Sequence, residues 1–117
     1  YSRSLVWFNL SVLPRNATLT LSIFSYYIYQ VSADSTTTNL YRLTQDWTEG
    51  TGSCTPNNDD TSGSTWTNYE GANAWTTAGG SYNGALESQI TPTVNTWSNH
   101  TITSMISSQY NGTNPNY

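Results

Sequence analysis

Two carboxylates, Asp46 and Glu49, have the spacing at which acidic side chains can face each other across a tight turn. Paired carboxylates of this kind support acid–base catalysis or bind Ca²⁺ through hard oxygen ligands. Five of the seven acidic residues lie between positions 46 and 70, which is consistent with a calcium site. The sequence has no D-x-D-x-D-G loop. We therefore favour a structural role, in which both carboxylates accept backbone N–H bonds and hold the loop.

No complete catalytic set accompanies these carboxylates. The only histidine, His100, is far in sequence from the only cysteine, Cys54, and a catalytic thiol needs an activating base. A glycosidase needs two carboxylates about 5–10 Å apart in a cleft, for which the chain has little length. The sequence also has no glycine-rich phosphate loop and no Cys/His metal cluster. We predict a protein that is not an enzyme, with no catalytic residues and no cofactor other than a candidate Ca²⁺ at Asp46 and Glu49.

Cys54 lies in a polar stretch that we expect to be exposed. A lone cysteine can form no disulfide within the chain. The sequence therefore leaves a free thiol or a disulfide to another chain.

Four N-x-S/T sequons offer sites for N-linked glycosylation if the chain crosses a glycosylating membrane: Asn9, Asn16, Asn99 and Asn111. A sequence this rich in Asn, Ser and Thr also produces sequons by chance. Asn9 falls in a predicted strand, whereas the other three fall at predicted turns or loops, which a glycosylating enzyme reaches more easily. We expect modification at Asn16, Asn99 or Asn111 before Asn9.

Aromatic side chains supply the candidate contacts for a sugar or a partner protein, because exposed aromatic rings form such contacts. The candidates are Trp7, Trp47, Trp66, Trp75 and Tyr82. If Val6 and Phe8 face the core, Trp7 should face outward from its strand. In the alternative interpretation another strand or loop covers Trp7, and the remaining rings pack inside their own loop.

The composition excludes several classes of partner. The chain has 3 Arg, no Lys and 7 acidic residues, so we expect no nucleic acid, whose phosphate backbone is bound by basic residues. No run of about 18 apolar residues is present, and we expect no membrane insertion. Ser, Thr and Asn form 49 of the 117 residues, 16 are aromatic and only 9% are charged, which is not the composition of a disordered chain. This composition and the sequons favour an extracellular or cell-surface location.

Alternating apolar residues predict β-strands along much of the chain. In Ser4–Leu10, Val6 and Phe8 should face the core. A longer strand, Thr18–Tyr29, changes the phase of its apolar residues after Ile23, which predicts a β-bulge or burial on both faces. Further short strands are predicted at 40–43, 64–67, 84–90 and 93–97.

The segment from Asp46 to Gly84 is predicted to be a long loop region ordered by its own aromatic side chains, because long loops without structure are uncommon. After it, apolar residues with helical spacing predict one short helix over Thr103–Tyr110. Thr103 is expected to cap this helix, and Gly112 is expected to end it.

We therefore predict an all-β fold: an antiparallel β-sandwich, jelly-roll-like, with one short helix and a long aromatic-rich loop region. We expect residues 1–117 to form a single β-sandwich domain that lacks one or more terminal strands.

The most specific motifs of the chain are D-W-T-E-G-T at 46–51 and W-T-T-A-G-G at 75–80. They are accompanied by S-R-S-L-V-W-F-N-L-S at 2–11, L-Y-R-L-T at 40–44 and N-G-T-N-P-N-Y at 111–117. Taken in chain order, these motifs resemble the DNRLRE-type extracellular β-sandwich module, which is related to carbohydrate-binding module family 96. The resemblance implies binding and scaffolding without catalysis, and implies further strands at both ends. Trp7 departs from the family, which often has a basic residue there.

Two function classes remain. The first is a non-catalytic structural module, a subunit or repeat of an extracellular surface or fibre assembly. Its partners are copies of itself or adjacent repeats, joined by strand complementation into filaments, because open sheet edges accept another strand. In the alternative to this assembly, the terminal strands belong to the same protein but lie outside this chain. The second class is a polysaccharide-binding module of a secreted protein.

Overall fold

The strands and helices are taken from a computed structural model that describes residues 3–30, 37–51 and 62–117. The described strands are β1 (Ile23–Ile28), β2 (Thr38–Leu40), β3 (Asn68–Glu70), β4 (Asn73–Ala74), β5 (Ser88–Ile90) and β6 (Thr96–Thr101). A 3-10 helix covers Leu10–Val12, and the α-helix α1 covers Thr103–Tyr110. The strands pair antiparallel as three two-stranded sheets, β1 with β6, β2 with β5 and β3 with β4. The predicted class, strands in antiparallel sheets with one short helix, is confirmed at this level.

The chain divides into two compact units. The first unit contains Tyr1–Trp7, Leu43–Asn83 and Tyr117, and the second contains Phe8–Arg42 and Gly84–Asn116. The sheet of β3 and β4 lies in the first unit, and the other two sheets and α1 lie in the second.

The core of the second unit forms around α1. Ile102, Met105 and Ile106 are buried, and the partly buried side chains of Leu10, Leu19, Phe24 and Leu40 pack against them. Helical spacing brings Met105 and Ile106 of α1 to one face, which packs with Ile102 against the side of β1 that carries Phe24.

The helix at 103–110 has the predicted bounds. Gly112 follows it with φ +71°, a conformation that glycine adopts readily at a helix end. The predicted cap is wrong, because Ile102 occupies the N-cap position and makes no side-chain cap bond. The Thr103 hydroxyl instead accepts the N–H of Ser22 at 3.0 Å and ties the helix to the chain before β1.

The predicted strand at Ser4–Leu10 is wrong, since the described residues 3–9 form no strand and a 3-10 helix begins at Leu10. The Asn9 side chain accepts the N–H and the hydroxyl of Ser11. Such local bonds compete with strand pairing. Val6 and Phe8, expected in the core, remain 46% and 41% exposed.

The predicted strand Thr18–Tyr29 is shortened to β1, and its expected bulge is absent from the described register. The residues of β1 that share a face with Phe24 are half-buried, whereas Ile23 on the opposite face is 49% exposed. β1 is therefore covered on one face only. β2, β5 and β6 lie within a few residues of the predicted strands. The single strand expected at 64–67 is replaced by the pair β3 and β4. Leu43 forms an isolated bridge with Tyr82.

In the first unit Trp75 is the buried anchor. It is 6% exposed, its Nε1–H donates to the Thr65 carbonyl at 2.9 Å, and its ring meets the edge of Tyr69 at 6.0 Å. The described part of the aromatic-rich segment is thus ordered by its own aromatic side chains. No helix in the described residues is long and apolar enough to cross a membrane.

Candidate functional site

The two-stranded sheet of β1 and β6, called the β1–β6 ribbon below, is the longest paired element of the described structure. Its register runs from Ile23 opposite Thr101 to Ile28 opposite Thr96. Successive side chains of a strand point to opposite faces. One face, the inner face, lies over the core, and the other, the outer face, carries the more exposed side chains.

His100 is the centre of the inner face. It is fully buried and stacks on the rings of Phe24 and Tyr26, with centroids 6.3 Å and 5.8 Å away. Its Nε2 lies 3.4 Å from the Tyr26 hydroxyl, and its Nδ1 has no hydrogen-bond partner among the described residues. Burial lowers the pKa of His100 below its ordinary value of 6.5. The imidazole therefore acts as a neutral ring of the core.

The outer face carries an aromatic pair and a polar pair. Tyr27 and Trp97 are 48% and 65% exposed, and their rings meet edge to face at 5.6 Å. One step along the same face, the Ser25 hydroxyl donates to the Asn99 side-chain oxygen at 2.7 Å. Ile23 and Thr101 complete this face, so it carries no charged side chain.

One hydrogen bond shows which residues of the ribbon direct their backbone N–H and C=O groups toward its edges. The N–H of Ile102 donates to the carbonyl of Ser22 at 2.9 Å. Hydrogen-bonded pairs alternate along an antiparallel ribbon, so Phe24 pairs in this way with His100. The intervening residues direct their N–H and C=O groups outward: Ile23, Ser25 and Tyr27 on β1, and Trp97, Asn99 and Thr101 on β6. The described residues supply no partner for these edge groups.

In the first unit, a shallow depression of about 230 Å³ is lined by Thr44, Gln45, Thr76, Thr77, Ser81 and Tyr82. The Gln45 side-chain oxygen accepts the Thr76 N–H at 3.1 Å, the Thr76 hydroxyl at 3.2 Å and the Ser81 hydroxyl at 2.8 Å. A backbone N–H can only donate, which fixes the orientation of this amide. The NH₂ group of Gln45 can therefore donate to a ligand in the depression.

The guanidinium of Arg3 lies against Tyr82, the aromatic residue that lines this depression. It lies 5.0 Å from the ring centroid of Trp66 and 5.1 Å from that of Tyr82, and it donates to the Gly79 carbonyl at 2.7 Å. Trp66 and Tyr82 remain 51% and 38% exposed. The depression thus combines hydroxyls, an oriented amide and exposed aromatic surface.

The structure separates the aromatic candidates that were expected to contact a sugar or a partner. Trp7 is 53% exposed, as expected for a contact residue. Trp75 is buried and its indole N–H is already bonded, so in this conformation it presents no face to a ligand. Trp47 is partly buried, and its Nε1 is enclosed with no partner among the described residues.

Asp46 behaves as a loop-holding residue, because its carboxylate accepts the N–H of Trp47 at 2.9 Å. The backbone carbonyl of Glu49 lies so close to Gly63 that a Cβ there would collide with it. The described residues contain no group of three or more His, Cys, Asp or Glu side chains that could hold a metal ion. Ca²⁺ at Asp46 and Glu49 stays a prediction. Cys54 lies outside the described residues.

All four sequon asparagines are exposed. The premise used to rank them is wrong for two: Asn9 caps the 3-10 helix and is not in a strand, whereas Asn99 lies in β6. Asn16 has φ +63° and Asn111 caps the end of α1. Asn16 and Asn111 border one groove of about 280 Å³ in the second unit.

The sequence interpretation missed the outer face of the β1–β6 ribbon. Tyr27 and Trp97 were assigned to strands but not to a surface. The sequence does contain the pattern that predicts this face. If Phe24 faces the core, alternation along the strand places Tyr27 outward. In the other strand, Trp97 and Asn99 are two residues apart and therefore share a face.

Comparisons with protein families, curated proteins and solved structures find no match to this chain. The resemblance to DNRLRE-type modules therefore stays a prediction.

Proposed function

We propose that the chain is a non-catalytic structural module of an extracellular or cell-surface assembly, in which the β1–β6 ribbon receives a strand from a second copy or an adjacent repeat. The observation that carries the proposal is the β1 edge of the ribbon. Ile23, Ser25 and Tyr27 direct backbone N–H and C=O groups outward with no hydrogen-bond partner among the described residues, whereas β5 lies close to β6.

Physical chemistry favours a third strand at such an edge. A two-stranded ribbon is marginally stable in water, and a sheet of three or more strands with one apolar face is much more stable. Unpaired edges offer a full row of donors and acceptors to an extended segment. The β1–β6 ribbon already has its covered inner face, and its outer face has no charge that would repel an identical chain. Strand addition would extend the ribbon toward the β-sandwich that the sequence predicts.

Ser25 is the position at which to test this. Its N–H points outward, so Ser25→Pro removes an edge donor and keeps the bonds between β1 and β6, since proline is tolerated on edge strands. Ser25→Thr is the matched control, because it retains both the N–H and the hydroxyl that bonds Asn99. Ser25→Lys is a second variant, which places a charge at the edge.

Light scattering after size-exclusion chromatography, with negative-stain microscopy, measures the outcome. The parent chain and Ser25→Thr should assemble, and Ser25→Pro and Ser25→Lys should elute as monomers with an unchanged circular dichroism spectrum. A parent chain that stays monomeric at every concentration, or a Ser25→Pro variant that assembles like the parent, rejects strand addition at this edge.

A polysaccharide-binding module is the second candidate, and the depression beside Tyr82 favours it. Hydroxyls and the Gln45 NH₂ group match the hydroxyls of a sugar, and the exposed ring offers a surface for its C–H face. Binding to a panel of immobilised polysaccharides tests this candidate. Thr76→Val and Tyr82→Ala should weaken binding about tenfold or more, whereas Trp97→Ala, an exposed aromatic residue of the other unit, should not.

A further inference from the structure

Asn99 and Trp97 occupy neighbouring positions on the outer face of the β1–β6 ribbon. They are two residues apart in β6, so their side chains point to the same side and their Cα atoms are about 7 Å apart. Both are exposed, Trp97 to 65%. Asn99 begins the sequon Asn99-His100-Thr101.

The opposite strand holds both side chains in place. The Ser25 hydroxyl donates to the Asn99 side-chain oxygen, which leaves the NH₂ group, the atom that glycosylation modifies, without a partner among the described residues. Tyr27 packs its ring against the edge of Trp97 and supports the indole. The indole face is thus presented next to a modifiable amide.

We propose that Asn99 is the N-glycosylated residue of this chain and that the first sugar of its glycan stacks on Trp97, covering the apolar part of the outer face. The sugar needs an apolar surface for its C–H groups, which carry partial positive charge, and the negative face of an aromatic ring provides one. The proposal uses the extracellular location of the proposed function, but not its strand addition, since a glycan on the outer face leaves the β1 edge open.

The covalent step requires a membrane oligosaccharyltransferase and an oligosaccharide carried on a lipid diphosphate. The side-chain nitrogen of Asn99 forms a bond to the anomeric carbon of the first sugar. The bond from that carbon to the diphosphate oxygen breaks, and the lipid diphosphate leaves with the electron pair. One proton of the Asn99 NH₂ group passes to a base of the transferase.

The other sequons lack this arrangement. The residues two positions before Asn16 and Asn111 are Pro14 and Gln109, which have no aromatic ring. Asn9 does have a tryptophan two positions before it, Trp7, but no strand aligns the two side chains on one face. Asn9 is therefore a control with matched sequence spacing and different structure.

The experiment expresses the full chain in a eukaryotic secretory host, which supplies the transferase, and in a bacterial host, which does not. Intact mass and peptide mapping after enzymatic deglycosylation identify the modified asparagine. Thermal unfolding is then compared for the parent, Asn99→Gln, Trp97→Ala and the double variant from each host. The bacterial series measures the effect of the substitutions without a glycan, including the lost bond from Ser25. Tyr27→Ala is a second variant that removes the support of the indole.

We expect occupancy at Asn99 and a midpoint of unfolding that the glycan raises on the order of 3 °C in the parent. This gain should vanish in Trp97→Ala and shrink in Tyr27→Ala. Any gain from a glycan at Asn9 should not depend on Trp7. An unmodified chain, an empty Asn99 beside an occupied second sequon, or a gain that persists without Trp97 overturns the proposal. None of these readouts uses the oligomeric state, so failure here is distinct from failure of strand addition.

Discussion

Tyr27 and Trp97 lie directly opposite each other in the β1–β6 ribbon, and their rings meet edge to face with centroids 5.6 Å apart. The alternation of the ribbon places them at a non-hydrogen-bonded pair, where opposed Cα atoms approach to about 4.5 Å. Side chains at such positions contact each other most closely. The pair therefore joins the two strands on the face that carries the more exposed side chains.

We expect this contact to contribute about 0.5–1.5 kcal/mol to the free energy of unfolding beyond the area that the rings bury. Urea unfolding of Tyr27→Ala, Trp97→Ala and the double variant measures the coupling. Tyr29 is 81% exposed and provides a control, since its alanine variant should combine additively with Trp97→Ala. Additive losses for Tyr27 and Trp97 would contradict a direct contribution.

The buried imidazole of His100 predicts a loss of stability in mild acid. Its pKa is lowered by burial in the folded state, so the unfolded chain binds the proton more readily. The stabilisation is complete above pH 6.5 and decreases as the pH falls below that value, until the folded pKa is reached. The slope for one group is at most about 1.4 kcal/mol per pH unit.

Denaturant unfolding at several pH values between 7.5 and 5 measures this slope. His100→Phe keeps a ring against Phe24 and Tyr26 but cannot titrate, and it should be flat over this range. His100 is the only histidine, so few other groups ionise in the same interval. A parent profile as flat as that of His100→Phe would show that the imidazole is not held neutral.

Gly79 should not tolerate a side chain. Its φ is +83°, and an added Cβ would lie 2.8 Å from the Arg3 Nη1 and 2.9 Å from the Trp66 ring. Gly79→Ala should therefore lower the free energy of unfolding by about 1–3 kcal/mol. Gly84→Ala is the control, because a Cβ at Gly84 meets nothing within 4 Å. Equal effects of the two substitutions in thermal unfolding would contradict this prediction.

The hydroxyl of Tyr110 joins the end of α1 to a turn near the start of the second unit. It donates to the Pro14 carbonyl and accepts the Ala17 N–H, the latter at 3.0 Å. Tyr110→Phe removes both of these bonds but leaves the Ala17 N–H bonded to the Pro14 carbonyl at 3.2 Å. It should therefore cost about 0.5–1.5 kcal/mol of unfolding free energy. Tyr29→Phe, at an 81% exposed position, should be neutral in the same measurement. A neutral Tyr110→Phe would mean that water replaces the hydroxyl.

The parts of the fold that sequence reasoning predicted are those governed by local spacing. Helical spacing around Met105 and Ile106 placed α1 at its observed bounds, because both residues face one core. The strand at Ser4–Leu10 failed because alternation carries no information about Asn9, whose bonds to Ser11 favour a helical turn.

The candidate sites depended on contacts that are distant in sequence, and these were harder to predict. Alternation could have placed Tyr27 and Trp97 outward, but pairing the two needed the register between strands that are 70 positions apart in the sequence. Likewise, Trp75 and Trp66 occur in similar polar contexts. Trp75 is the buried one because the Thr65 carbonyl accepts its indole N–H, a relationship that the sequence does not show.

The placement of Arg3 bears on the conditions in which the first unit keeps its structure. Among the described residues this cation has no carboxylate partner, and it is held by two aromatic rings and the neutral carbonyl of Gly79. None of these contacts depends on an ionised carboxylate, so acid that neutralises Asp and Glu side chains removes none of them. The anchoring of the segment that carries Arg3 should therefore persist at an acidic pH at which a surface ion pair would be lost.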